Sequence, residues 1–455
     1  MKTIYVISGG TLVHVTPHFA LCAPAYGQVG VDLTDAFYDA LAHEGEGRQV
    51  VPIFTKMARA SWMTLRERFH PDVWNRLAEL SDVTLMHAGV ADVETNADLE
   101  TLVDYLVTLP DTRGIVLATA TCDWQPTYLA QEGAHTEKFG KKVPRLKSRR
   151  ADGGPSTVTL MLAPTDKILP RIRKTRKDIF VAGFKTTTGE AEQDQYVAGL
   201  NLLKSSGINL VLANDLTTRT NMVITPEESR YHVTTNRIGA LQGLVSMFLN
   251  RSNLRFTRST VVGTEADLVP WTDPRIPSNL RTVVDYCVAH GAYKPFRGST
   301  AGHFAVKVGE GEFLTSLRKR NYNTDLHRLG LVRVTTEGED SVVAHGARPS
   351  VGGQSQRSVF RDHPETDCIV HFHCPLKTDA PDVVSVRPQR DLECGSHECG
   401  ENTASGLKAH GNIKAVMLDN HGPNIVFSKD ADPDEVIRFI DRNFDLGDKT
   451  GGLLV

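Results

Sequence analysis

Two rhythms of apolar residues alternate along this chain. Short runs rich in β-branched and aromatic residues, bounded by glycine, proline or polar residues, read as buried strands. Longer stretches with apolar residues three and four positions apart read as helices. In the first half the strand pattern falls at Ile4–Ile7, Val50–Phe54, Val83–Met86, Gly114–Ala120, Ile179–Phe184 and Leu210–Ala213. The helical pattern falls between them: Val31, Leu33, Phe37, Tyr38 and Leu41, then Arg59–Leu80, Ala97–Leu109 and Glu190–Leu203. Strands alternating with helices predict a doubly wound, mostly parallel α/β sheet. Ligands of such sheets bind outside the carboxyl ends of the strands. Ser8, Asp123, Lys185, Asn214 and Asp215 are expected at that edge.

A proline-bearing hinge, Asp273-Pro274-Arg275-Ile276-Pro277-Ser278, follows a helix that ends near Leu249. It places a linker at residues 256–277, between domains at 1–255 and 278–455. Beyond it, helices are expected at Leu280–His290, Ser350–Arg361, Glu401–Ala409 and Pro433–Phe444. Strands are expected at Gly302–Gly309, Phe313–Ser316, Ile369–His373, Ala415–Leu418 and Asn424–Phe427.

Composition narrows the class. A chain of 455 residues is too long for one ordinary core. With 40% hydrophobic and 23% charged residues it has the profile of a soluble globular protein. A net charge of −3 gives no global reason to expect nucleic acid or an anionic membrane as partner. No apolar run approaches the ~20 residues of a membrane span. The short run after Met1-Lys2 enters a glycine pair at once, so it reads as a first strand and not as a signal-peptide core. Seven cysteines, an odd number, fit reduced thiols in a cytoplasmic protein. Cys368, Cys374, Cys394 and Cys399 lie near the histidines in sequence; they are either ligands or small buried hydrophobes.

Candidate chemistry centres on Ile369-Val370-His371-Phe372-His373. On a strand, residues i and i+2 point to one side, so His371 and His373 can offer two imidazoles to one point. His421 follows another apolar run, Val416-Met417-Leu418, and precedes Gly422. Three neutral imidazoles with an open fourth position make a catalytic zinc-type site. The competing reading of the pair is ordinary surface alternation. Near the N-terminus, Ser8-Gly9-Gly10-Thr11 reads as a glycine-rich turn whose N–H groups can face a phosphate. Its competing reading is steric, since many such turns need glycine only for space.

The order of strand-end motifs in the first half resembles the phosphopantothenoylcysteine synthetase family, over roughly residues 3 to 250. The motifs are Ser8-Gly9-Gly10-Thr11, the Gly27 to Gly30 turn, Cys122-Asp123-Trp124, Arg145-Leu146-Lys147, Val181-Ala182-Gly183-Phe184-Lys185 and Ala213-Asn214-Asp215. The resemblance implies a nucleotide-dependent ligase that activates a carboxylate with CTP or ATP and Mg2+. Ser8, Gly9, Gly10, Thr11, Phe184, Lys185, Asn214 and Asp215 would line the nucleotide site. Asp123 would serve the nucleotide or its metal, and Lys147 the triphosphate, where a cation neutralises developing charge. Where the family carries an Asn-x-Ser-Ser-Gly run, this chain has Ala23-Pro24-Ala25-Tyr26-Gly27.

The second half resembles the class II aldolase/adducin family, through Thr300-Ala301-Gly302-His303, Phe313-Leu314-Thr315-Ser316, Arg348-Pro349-Ser350, His371-Phe372-His373 and Asn420-His421-Gly422. The resemblance implies an α/β/α domain with a mainly antiparallel sheet. His371, His373 and His421 would bind a divalent metal, expected to be Zn2+, which acts as a Lewis acid. Gly302, His303, Thr315, Ser316 and Ser350 would hold the substrate. The acid that the aldolases use in proton transfer is Gly352 here, so Glu393 or Glu398 is the candidate base. Cys394, His397 and Cys399 could instead form an extra metal site, or the segment is a solvated glycine-rich loop. Arg318, Lys319 and Arg320 read as a solvated basic face. Together the resemblances predict a bifunctional metabolic enzyme, ligase-like and then lyase-like, acting on a small (phospho)sugar-like substrate and forming a dimer or tetramer. The alternatives are a non-catalytic nucleotide- and metal-binding assembly protein, or a chain in which only the lyase half is active.

Overall fold

The computed structural model describes residues 2–42, 47–68, 71–81, 86–87, 90–132, 134–351 and 353–452. It divides into two compact units. One comprises Met1–Gly189, Ala198–Val223 and His232–Phe248; the other comprises Glu190–Val197, Ile224–Tyr231 and Leu249–Val455.

The first unit is built on a seven-stranded sheet. Its order is Arg230–Thr234, Asn221–Ile224, Leu210–Asp215, Phe180–Thr187, Thr112–Ala120, Lys2–Gly10 and Arg48–Phe54. The last five of these strands are mutually parallel. Their centres are fully buried Val, Ile and Leu, as expected of strands covered on both faces. The helix Asn96–Thr108 shows how local sequence sets an element. Thr95 accepts from the Asp98 N–H at 3.2 Å while the Asp98 carboxylate accepts from the Thr95 N–H at 2.8 Å, closing a capping box. A separate three-stranded sheet joins Val158–Pro164, Trp124–Gln131 and Ala134–Thr136.

Two expectations change here. Ser8-Gly9-Gly10 is not a turn: the first strand runs on through Gly10, paired with Thr119 and Ala120. Gly9 is needed for its positive φ of 121 as well as for space, and Gly10 for space. A Cβ on Gly9 would stand 2.1 Å from Thr55 Oγ1, and one on Gly10 2.2 Å from the Ala23 carbonyl. The expected strand Val83–Met86 lies largely outside the described residues; among them Met86–His87 pairs with Val90–Ala91.

The second unit is an α/β/α layer structure on a mainly antiparallel ten-stranded sheet. Its two cores follow the period-two rule of strands. Phe304, Val306, Val370, Ile425 and Phe427 face one way, onto Leu280 and Val284 of the helix Ser278–Ala289 and Val436 and Ile440 of Pro433–Asn443. Ala305, Ile369 and Val426 face the other way, with Val359 of Gly353–Asp362 and Ala404 of His397–Gly406. By the same parity His303 and His371 belong to this second face. Among the described residues no helix is long and apolar enough to cross a membrane.

Two boundaries in this unit differ from expectation. The helix expected from Glu401 begins at His397, because the Ser396 hydroxyl caps it by accepting from the Cys399 N–H at 3.0 Å. His397, Glu398 and Cys399 are therefore helical and not part of a loop. The strand carrying the histidines spans Cys368–His371, so His373 lies beyond its end.

Candidate metal centre

The strand Cys368–His371 lies between His303–Gly309 and Gly422–Phe427, antiparallel to both. Register puts His371 opposite His303 on one side and Asn424 on the other. Past the strand end, the backbone of Phe372 and His373 is held against Gly422. A Cβ there would come 2.1 Å from the Phe372 carbonyl, at φ 156. That contact, and not strand alternation, brings His373 beside the loop that carries His421.

One ligating atom from each of His371, His373 and His421 lies within 4.8 Å of the others. Ring centroids are 5.1 Å apart for His371 and His373, and 4.7 Å for His421 to each of them. All three side chains are buried. The His371 Nδ1–H donates to the Pro423 carbonyl at 2.7 Å, which leaves the Nε2 lone pair facing inward. Among the described residues His371 Nε2 and both ring nitrogens of His421 have no hydrogen-bond partner. A buried polar atom left unmade costs about 1–3 kcal/mol. Nitrogens bound to one ion at ~2.1 Å stand no more than about 4.2 Å apart, so a small closure of the rings would bring one nitrogen of each onto a common ion. The donor set therefore fits a divalent ion such as Zn2+, and among the described residues it is the one such cluster.

Electrostatics favour neutral imidazoles. Burial pulls His371 down to about 4, against the opposing bond to the Pro423 carbonyl. Burial likewise holds His421 well below its ordinary value, aided by His371 and by the cations Arg251 and Lys449. A fourth imidazole stands beside them: His303 is buried, its ring centroid 4.8 Å from that of His371. Burial keeps it neutral too, followed by His371 and His421, and it bonds Gln356 Nε2 through Nδ1 at 2.8 Å.

A pH dependence follows. The folded His371 titrates below its unfolded value, so the unfolded chain binds more protons between pH 6.5 and about 4. Stability of the metal-free protein is expected to fall as pH drops through that window, by roughly 3 kcal/mol from His371 alone. His421 and His303 act in the same direction. Urea melts of metal-free protein at pH 7 and pH 4.5 check this; equal midpoints would contradict it.

The remaining expected residues are placed as follows. Gly302 lies at φ 102, where a Cβ would meet the His371 carbonyl at 2.5 Å. Tyr322 OH donates to the Gly302 carbonyl at 3.1 Å and lies 3.2 Å from Ser316 Oγ. Thr315 Oγ1 donates to the Phe304 carbonyl at 3.3 Å, and the Ser350 N–H to the Ser316 carbonyl at 2.9 Å. Glu398 accepts from the Arg255 N–H at 3.2 Å and from Arg255 Nε at 3.4 Å. Glu393 acts electrostatically on Arg251. Cys399 lies beside Gln389 and Ser355, and His397 Nε2 is 3.2 Å from Thr257 Oγ1 and from Asp340. No extra cluster of cysteine and histidine ligands forms among the described residues. Arg318 and Lys319 are exposed, and Arg320 pairs with Glu265. Gly352 lies outside the described residues.

In the first unit, Thr186 pairs with Asn214 and Thr187 with Asp215, which puts Lys185, Asn214 and Asp215 at the carboxyl edge of the sheet. Asp123 pairs with Lys167 at 2.6 Å, and Lys147 is exposed. Phe184 is half-buried. The Asp215 carboxylate accepts N–H bonds from Gly189, Thr217 and Thr218, the work of a turn cap. Thr11 is tied into a buried network, donating to Asn96 Oδ1 at 2.6 Å while accepting from the Cys122 N–H at 2.9 Å. Ser8 is buried in the strand, its side chain against Gly30.

No family model matches this chain, and no curated protein matches it. Among solved structures it is similar to a DNA/pantothenate metabolism flavoprotein from Streptococcus pneumoniae, with 18% identity, 55% of this chain and 99% of that chain covered, and a TM-score of 0.37. It is also similar to YgbL, a putative aldolase/epimerase/decarboxylase from Escherichia coli, with 20% identity, 36% and 83% covered, and a TM-score of 0.27. A third is L-fuculose 1-phosphate aldolase, with 15% identity, 36% and 80% covered, and a TM-score of 0.28. At low identity, the N-terminal half thus resembles proteins of the phosphopantothenoylcysteine synthetase type and the C-terminal part class II aldolases.

Proposed function

We propose that the chain is a divalent-metal-dependent lyase, of aldolase or dehydratase type, acting on a small (phospho)sugar-like substrate. The observation that carries this is the convergence of three buried imidazoles on one point, with His371 and His421 held neutral by burial. His371, His373 and His421 would hold the ion. When bound, it supplies Lewis acidity toward a substrate carbonyl or hydroxyl. The chain's own groups do the rest. The Pro423 carbonyl fixes the His371 tautomer. Gly302, His303, Thr315, Ser316 and Ser350 form the substrate side, with Gln356 orienting His303. Glu393 or Glu398 accepts the proton, a role worth about 10²–10⁴ in rate.

For the first unit we propose a CTP or ATP site with Mg2+ at the carboxyl edge of the parallel sheet, drawing on Asp123, Lys147, Lys185 and Asn214. The ligase-like activity rests on it. We further propose a cytoplasmic homo-oligomer. One set of titrations tests both units. Calorimetry with CTP and ATP in Mg2+ is expected to show saturable heat, and turnover of a sugar-phosphate panel is expected to vanish with chelator and return with Zn2+. Turnover unaffected by chelator would sink the lyase reading; no heat with either nucleotide would sink the nucleotide site.

A further inference from the structure

Between the strands Asn221–Ile224 and Arg230–Thr234 the chain makes a tight turn, far from the histidines in sequence. The Thr225 N–H donates to the Ser229 carbonyl and the Glu228 N–H to the Thr225 carbonyl, both at 3.0 Å. This segment, Ile224–Tyr231, belongs to the same compact unit as the metal centre.

From the turn, three sets of contacts run toward the histidines. The Ser229 hydroxyl donates to the Asn420 carbonyl, and the Asn420 side-chain amide donates to the Arg230 carbonyl. Tyr231 OH reaches the Asp419 carbonyl at 3.4 Å. Asn420 immediately precedes His421 and sits at φ 53, a left-handed conformation that asparagine adopts more readily than other side-chain-bearing residues. On another side, Glu228 lies 3.1 Å from Lys449 Nζ, both buried. The next residue, Thr450, donates its N–H to the His373 carbonyl at 3.0 Å. Third, Glu227 pairs with fully buried Arg251 at 3.1 Å and accepts from the Cys394 N–H at 2.6 Å, beside the candidate base Glu393.

Two adjacent buried carboxylates are an expensive way to stabilise a turn. Buried ion pairs are often matched by apolar packing, so their energy alone does not account for them. Their placement does: one turn is bonded to the residue before His421 and, through Lys449, to the segment that holds His373. We propose that Glu227-Glu228-Ser229 is the positioning element of the metal centre, setting the spacing of His421 against His373 as an outer shell for the ion. This rests on the metal reading above.

The test uses the full chain loaded with Co2+, reading affinity by chelator competition and geometry by the visible absorption of the bound ion. Ser229→Ala is expected to weaken Co2+ binding 10–100-fold, the usual cost of an outer-shell loss, and to change the spectrum. Ser229→Thr, which keeps the hydroxyl, is expected to restore most of both. Asn420→Gly guards against a folding failure: it suits the left-handed conformation yet removes the bond to Arg230, and the same weakening is expected. Wild-type affinity and spectrum in Ser229→Ala and Asn420→Gly would overturn the positioning role while leaving the metal site standing. No Co2+ binding by the wild-type chain would overturn the metal site and this proposal with it.

Discussion

Replacing His421 with alanine is expected to remove the bound divalent metal without weakening the metal-free fold. The two effects have opposite physical origins. In the metal-free protein His421 brings two buried ring nitrogens that bond to nothing among the described residues. Each such atom costs about 1–3 kcal/mol, so deleting them offsets much of the ~2–5 kcal/mol that a buried large-to-small change ordinarily costs. The metal-free variant should therefore melt close to wild type. With metal the order reverses. An ion at a thousand times its dissociation constant stabilises by about 4 kcal/mol, and a variant with two of three imidazoles forfeits that. Metal content after dialysis, with melting curves taken with and without Zn2+, checks both halves. Full metal stoichiometry in His421→Ala would show that the histidines are a structural cluster and not a ligand set.

The second large effect is expected at Arg251, where the ion pair with Glu227 is wholly out of water. Burial alone would push the Glu227 carboxyl up, but Arg251 and the Cys394 N–H outweigh it and hold the acid ionised. Arg251→Met strands that charge. Breaking a buried pair from one side costs about 3–5 kcal/mol, or roughly 6–20 °C in melting temperature for a unit of this size. The double change Glu227→Leu with Arg251→Met removes both charges and is expected to recover most of the loss. Scanning calorimetry of the single and double variants decides. If Arg251→Met melts within about 2 °C of wild type, at ~2–4 °C per kcal/mol, the pair contributes little.

How much of this was legible in the sequence depended on how local each signal was. The alternation of strands and helices made the parallel strands of the first sheet legible, because buried strands and amphipathic helices carry their period in neighbouring residues; the antiparallel order of the second sheet came from the resemblance, and its strands Val332–Thr336 and Ser341–His345 were not read. The three histidines were legible for the same reason: each lies at or just beyond an apolar run near a strand end, and the fold brings those ends together. The glycine pair at Gly9-Gly10 misled, since glycine can hold a positive φ inside a strand, as Gly9 does, and then looks in composition like a turn. His373 reached the site through a contact with Gly422, which no periodicity encodes. The start of the helix at His397 was readable from Ser396 as a cap, but nearby glycines favoured a loop. Glu227, Glu228, Ser229 and Lys449 gave no signal. Adjacent acids in a turn read as solvated, and their partners lie too far along the chain to be paired by eye.

That distance has a consequence for synthesis. Ser229 and Asn420 are 191 residues apart. A ribosome adding ~5–20 residues per second leaves the turn without that partner for roughly 10–40 seconds. Glu228 waits longer still, until Lys449 emerges. During that interval Glu228, an acid destined for the interior, is without its cation. A nascent chain that has passed His421 but not yet reached Lys449 therefore carries all three candidate ligands without the Glu228–Lys449 part of the brace.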